Sequence, residues 1–458
     1  MKKDTPMNAR TARSRAALLE GPIGPTLARL AVPGIAAMAI QSSMSIVEAW
    51  YLGRLGTVEL AAVALVFPIL MLANMLSAGA VGGAVSGATA NATGAGDEAR
   101  AETILRAALL IALCCGLAMA ALFYFAGPTF YRLLGGEGDV LAAALAYSDR
   151  LMPALVLIWL FNMAAGVMRG AGDMLRPAML QALVAASHFG LSWLLILRLD
   201  LGIAGAAWAM GGAYAAGLAA VALLFAGGGA AVAFRPGPVP RSLVMPLLRI
   251  GSLAGFQAVM TIVTALTVTA LVGRLGPVWL AGYGIAARLE FLMIPIIFGI
   301  GSAMIAMVGA NRGAGRMDRA QAVAWRGSGA AALIVGAIGV ASALFPVFWA
   351  SLYTADAAVI EACAAYMRRV APFYAFFGLG LSLYFAAQAM QTMGVPVIAS
   401  LSRFAIIAGG GGALLAAGRA EPDAVFICVA LGMAAYGVIV AAGLRWVSWR
   451  PRPARRPA

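Results

Sequence analysis

The sequence predicts an all-α integral membrane protein: twelve transmembrane helices in two six-helix lobes related by a pseudo-twofold axis along the membrane normal. Three observations carry this. Of 458 residues, 63% are hydrophobic and 11% charged, with a mean hydropathy of +0.92, outside the range of a soluble globular domain. Runs of about 20 mostly apolar residues, the length that crosses a bilayer, start near residues 27, 59, 103, 143, 176, 203, 250, 278, 323, 361, 396 and 423. The third is an internal repeat at an offset of 219 or 220. LGRLG at 52–56 returns as VGRLG at 272–276, TGAGDEARA at 93–101 as RGAGRMDRA at 312–320, Arg29 as Arg249, and Pro153 as Pro372. An offset of six helices gives both halves the same orientation.

Along the chain, residues 1–26 form a polar, basic leader without the apolar core and cleavage site of a signal peptide. The N-lobe covers 27–227. A Gly- and Pro-rich linker at 228–249 joins it to the C-lobe at 250–446, and 447–458 is a basic tail. Both termini are expected in the cytoplasm, because 22 of the 32 Lys and Arg then fall inside. Arg54, Arg132, Arg150, Arg198, Arg274 and Arg419 fall outside, and Arg288, Arg368, Arg369 and Arg403 lie within or near spans.

The net charge of +14 does not point to nucleic acid, since the basic residues are scattered between apolar runs. The four cysteines lie inside apolar segments with no CxxC spacing, and one histidine cannot complete a metal site. Neither a metal nor a cofactor is expected. The only lysines are Lys2 and Lys3, so no GxxxxGK[ST] loop exists to bind ATP. No HExxH, DxxxD or Ser/His/Asp arrangement suggests a membrane enzyme.

A carboxylate at membrane depth costs at least ~2.5 kcal/mol, so Glu48 is expected to face a cavity. Gln41, Ser45 and Glu48, spaced +4 and +3, share its helical stripe. The alternative places Glu48 at the outer surface, paired with Arg54. In the fifth span Gln181, His188 and Ser192 form a second stripe. His188 reads either as a satisfied core residue or as a proton exchanger, its unperturbed pKa being about 6.5. Asn74 and Asn162 complete the expected N-lobe cavity, although hydrogen bonding between helices explains either equally. For the C-lobe cavity the candidates are Gln257, Thr261, Glu290 and Gln388. Glu290 would contact substrate, couple transport or form a structural ion pair. Aromatics such as Trp50, Phe161 and Trp193, with many of the 23 methionines, would suit permissive apolar contact. Pro33, Pro68, Pro153, Pro295 and Pro372 are candidate bending points.

VEAWYLGRLGTVELAA, MRGAGDMLRP, GIAGAAWA and GIAARLEFLMIPIIFGIGSAMIAMVGANRGAGRMDRA, in this order, resemble the multidrug and toxic compound extrusion (MATE) family over about residues 25–445. The likeness is to the proton-coupled type, the DinF-like branch. It implies two lobes in a V around a central cavity and alternating access. It also implies antiport of amphipathic, cationic drugs and dyes, and a coupling role for Glu48, where the family carries Asp. Many members have Asn and Asp where this chain has His188 and Ser192. A hard oxygen ligand for sodium is then missing, so protons are the expected coupling ion, with His188 and Glu48 as an interacting pair and sodium as the second candidate. The seventh-span Glu and tenth-span Asp of one branch are replaced near Thr261 and Gly380.

The resemblance places the chain as a multi-pass monomer in a bacterial inner membrane, its partners being lipid and small molecules. One rival is a lipid-linked oligosaccharide flippase, which would gather cations in the cavity and carry fourteen spans. A membrane-embedded enzyme is the other.

Overall fold

A computed structural model describes residues 9–419, 421–447 and 449, with side chains from Ser14 onward. Among the described residues the regular structure is entirely helical, with twelve helices long and apolar enough to span a membrane. In chain order spans 1 to 6 are Ile23–Gly53, Thr57–Ala95, Glu98–Leu133, Gly138–Gly170, Leu175–Arg198 and Gly202–Ala226. Spans 7 to 12 are Arg241–Gly273, Pro277–Gly313, Met317–Leu344, Ala357–Ala389, Gly394–Ala416 and Pro422–Trp446.

Each span begins one to nine residues before its expected start. At spans 3 and 9 the added residues, EARAE and MDRAQA, are charged, so they lie outside an apolar window yet still form helix where a cap satisfies their free amides. Asp97 does this for span 3, accepting from the Arg100 backbone amide at 3.0 Å. The largest difference is at span 7, where RSLVMPLLR is already helical from Arg241. A leader helix, Ala9–Glu20, precedes span 1.

The duplication is visible in the packing. Spans 1, 2, 4, 5 and 6 pack as 1 on 5, 2 on 4, 4 on 6 and 5 on 6, and spans 7, 8, 10, 11 and 12 repeat these pairings. Gly96 and Gly315, 219 residues apart, both take φ 75°, the left-handed turn that ends spans 2 and 8. The copies differ where helices break. Span 10 carries a 3₁₀ turn, Ala371–Phe373, at Pro372, whereas span 4 runs unbroken through Pro153. Span 2 widens to a π-helix over Met75–Val81, which span 8 does not copy.

The lobes are sealed together at the end that carries the leader helix. Without a hydrophobic drive between helices in lipid, close approach rests on small residues. A Cβ on Gly94 would overlap the Ala310 carbonyl, one on Gly313 would overlap that of Asn91, and one on Gly309 would sit 2.6 Å from Ala90 Cβ. Nearer the middle, Gly34 of span 1 lies against Gly299 of span 8. Polar ties cross the same seam: Asn91 Nδ2 donates to Ala389 O at 3.0 Å, and Gln388 Nε2 to Gly79 O at 3.0 Å. The leader helix fastens both lobes. Arg15 donates to Gly94 O at 3.0 Å, while Leu18 O and Leu19 O accept from Asn311 at 3.1 Å and Arg316 at 2.9 Å.

Candidate functional site

Beyond this seam the lobes enclose a central cavity of ≈ 380 Å³. Spans 1, 2, 4 and 6 line it from the N-lobe, and spans 7, 8, 10 and 12 from the C-lobe. Its wall is mostly apolar, with Phe67, Phe291, Phe298, Phe377 and Phe385 and the methionines Met38, Met44, Met71 and Met75. No arginine or lysine is on it. Glu48 is its one carboxylate.

Glu48 is 5% exposed, and its Oε1 accepts from Tyr147 of span 4 at 2.6 Å. The outer-surface alternative does not hold: Arg54 instead lies 4.0 Å over the Trp50 ring. Nor is the expected Glu48–His188 pair formed. His188 is fully buried within the N-lobe, and neither of its ring nitrogens, nor Ser192 Oγ, has a hydrogen-bond partner. The stripe Gln181, His188, Ser192 is indeed one buried face. That face turns into the lobe interior, and only Gln181 reaches a pocket.

The other N-lobe candidates come together as one network across spans 1, 2 and 4. Gln41 Nε2 donates to Asn74 Oδ1 at 2.8 Å, and Asn162 Nδ2 donates to Ser77 Oγ at 2.8 Å and to Asn74 Oδ1 at 3.3 Å. Ser77 belongs to the π-helical turn, which brings its hydroxyl to Asn162. Gln41, Ser45 and Asn74 line the central cavity, whereas Asn162 lies in a smaller space beneath it.

In the C-lobe, Gln257 and Thr261 line the cavity, and Gln257 Nε2 donates to Tyr436 OH at 2.8 Å. Glu290 and Gln388 do not line it. Glu290 accepts from Tyr366 at 2.7 Å and Tyr374 at 3.1 Å behind the wall, and it forms no ion pair among the described residues. Gln388, fully buried, also donates to Tyr384 OH at 2.9 Å.

Tyr147 and Tyr366 are 219 residues apart, the repeat offset. Each copy therefore clamps a carboxylate, but the acid comes from span 1 in one lobe and span 8 in the other. The duplication was enough to single out this tyrosine pair, which hydropathy alone hides. One further expectation changes: Trp50 and Trp193 are about half exposed on the outside, 53% and 46%, and do not line the cavity. Of the arginines within or near spans, Arg288 is exposed, lying 5.0 Å over Tyr353, and Arg403 is buried, 5.0 Å from the Phe377 ring.

The chain matches the MatE family model twice, over residues 33–194 and 254–409, once in each lobe. It is 29% identical over 411 residues to a probable multidrug resistance protein NorM of Deinococcus radiodurans, covering 85% of this chain and 87% of that one. To a FAD transporter of Shewanella oneidensis it is 24% identical over 383 residues, covering 82% and 83%. The fold matches a MATE crystal structure in a bent conformation with TM-score 0.88 at 21% identity, covering 96% of this chain and 97% of the other. An outward-facing MATE structure matches at TM-score 0.84 and 21% identity, covering 94% and 96%. With two matched segments that together span more than half of its length, the chain belongs to the MatE family of multidrug and toxic compound extrusion transporters.

Proposed function

We infer that the protein is a secondary-active antiporter that exports amphipathic organic compounds in exchange for protons, by alternating access of the central cavity. The observation that carries this is Glu48, a lone cavity carboxylate bonded to Tyr147 and to no cation. Intramembrane carboxylates on a water-accessible path are characteristic proton relays. In the proposed cycle Glu48 takes a proton from outside while the leader-side seam is closed. The lobes then tilt, and the proton leaves to the inside. Spans 1 and 4 are joined where the Tyr147 hydroxyl donates to Glu48, so the proton on that carboxyl changes a contact between them.

The leader side is taken as cytoplasmic and the membrane as a bacterial inner membrane. The Arg distribution supports this orientation: Arg368 and Arg369, in the last turn of the first helical segment of span 10, pair with Glu361 and Asp423 and leave the excess of basic residues on the leader side. The unit of function is proposed to be one copy of the chain with no resident cofactor, and sodium is the alternative coupling ion. Cationic drugs and dyes are the first candidate cargo, supported by the NorM relative. The FAD transporter relative supports a second reading, an aromatic anion. The cavity wall gathers no cluster of Arg or Lys such as a pyrophosphate-linked lipid would need.

The test is transport of a fluorescent amphipath in proteoliposomes under an imposed proton or sodium gradient. Proton-driven movement is expected. Movement under sodium alone would replace the coupling ion, and none under either gradient would refute the reading.

A further inference from the structure

Beneath the central cavity, toward the sealed end, lies a space of ≈ 30 Å³. Arg169, Gln41, Asn162, Gln181 and Ser302 are the polar residues on its otherwise apolar wall. Arg169 sits in the last turn of span 4, half-buried, with no hydrogen bond or ion pair to any described residue. Its leader-side neighbours are different. Arg176 pairs with Asp173, Arg235 with Glu102, and Arg15, Arg106 and Arg316 donate to backbone carbonyls.

A guanidinium partly withdrawn from water with no counter-charge carries a desolvation cost. The helix C-terminus returns only about 0.3–1 kcal/mol of that, and neutral amides supply no counter-charge. A structural ion pair therefore does not explain Arg169. What a guanidinium does offer is a planar fork of five donors, matched to a carboxylate, sulfonate or phosphate. Met38, Gln41, Ala78 and Phe298 border both this space and the central cavity. The two are thus consecutive: the large one has room for an aromatic body, and the small one puts polar residues at its inner end. Gln41 and Glu48 are seven residues apart on span 1, so the ends of this path are separated by about 10 Å at 1.5 Å per residue.

We propose that Arg169, with Gln41, Asn162 and Gln181, forms an anion subsite that holds the negatively charged group of an amphipathic cargo at the inner end of the cavity. This rests on the transporter reading and favours the second of its two cargo classes: the preferred cargo is an aromatic anion or zwitterion, its apolar body against the phenylalanines. Binding is tightest when the seam has parted and the small space has become cavity wall.

The probe is tetramethylrhodamine, which carries a free carboxylate, beside its methyl ester, which does not. Anisotropy titrations use the full-length protein in phosphatidylcholine nanodiscs, so the result does not depend on transport. Wild type is expected to bind the carboxylate form about tenfold or more tightly than the ester, the size of a charge-assisted contact. Arg169→Gln removes that preference and leaves ester binding within twofold, and Arg169→Lys restores part of it. Adding phosphatidylglycerol separates two sources of the anion. Arg169-dependent competition assigns the subsite to a lipid head group, and no competition assigns it to the cargo; both support the subsite. Equal loss of both dyes in Arg169→Gln, or an unchanged ratio, overturns it. Failure of gradient-driven transport with the ratio intact would refute the antiporter and not the subsite.

Discussion

The glycine seam allows the conformational equilibrium to be moved by single methyl groups. Gly94 and Gly313 face each other's helices so closely that an added Cβ meets the backbone carbonyls of Ala310 and Asn91. Backbone cannot rotate aside as a side chain can, so Gly94→Ala or Gly313→Ala must push spans 2 and 8 apart. Overpacking of this kind costs about 1–3 kcal/mol. The cost falls only on the state in which the seam is closed, which translates to a shift of about 5- to 150-fold toward the leader-side-open state. Gly329, within span 9, has nothing within 4 Å of its added Cβ and is the control. Alanine gains similar helix propensity at all three sites, so that contribution, about 0.5–1 kcal/mol, cancels in the comparison. The assay is electron–electron resonance between spin labels at residues 99 and 318, on opposite sides of the seam. A longer-distance population should grow in Gly94→Ala and Gly313→Ala and stay at the wild-type level in Gly329→Ala. Identical distance distributions in all four folded proteins would refute the seam as the closing surface.

Three further outcomes follow from the same geometry. Tyr147→Phe removes the hydroxyl bonded to Glu48, a contact to a charged group worth ~1.5–3 kcal/mol, and proton-driven exchange should fall about tenfold with substrate binding kept; an unchanged rate would separate the tyrosine from coupling. Glu290→Gln lies behind the cavity wall, so dye efflux should stay within about twofold of wild type, while thermal unfolding moves to lower temperature because Tyr366 and Tyr374 lose a charged acceptor. Loss of efflux at normal stability would return Glu290 to the pathway. Arg15→Ala cuts one tie between the leader helix and span 2, and spin-label distances across the seam should broaden toward the open population, whereas no broadening would make the leader helix a passenger.

Much of this molecule was legible from polarity against an apolar background. The spans and the repeat follow directly from it, as does Glu48, whose cost in lipid demands a reason. Gln41, Ser45, Asn74, Gln257 and Thr261 were found on the cavity because helical spacing fixes which residues share a stripe. Spacing does not say what a stripe faces, and this is why His188 and Ser192 were expected beside Glu48 when they point into the lobe interior. Tyr147 gave no hydropathy signal, being at home in any apolar helix. Arg169 was hidden for the opposite reason: at the end of a span it counts as one more positive charge at a membrane surface, and only its missing partner marks it out. The aromatic wall was misassigned because tryptophans favour the lipid interface, where Trp50 and Trp193 are exposed.

The central claim is that the proton carried by Glu48 drives export, and replacing that carboxyl with an amide tests it most directly. In proteoliposomes at matched protein density, Glu48→Gln should keep exchange of labelled for unlabelled substrate, because the cavity wall is otherwise unchanged, and should lose accumulation under an imposed proton gradient. Gradient-driven accumulation at the wild-type rate in Glu48→Gln would contradict the account.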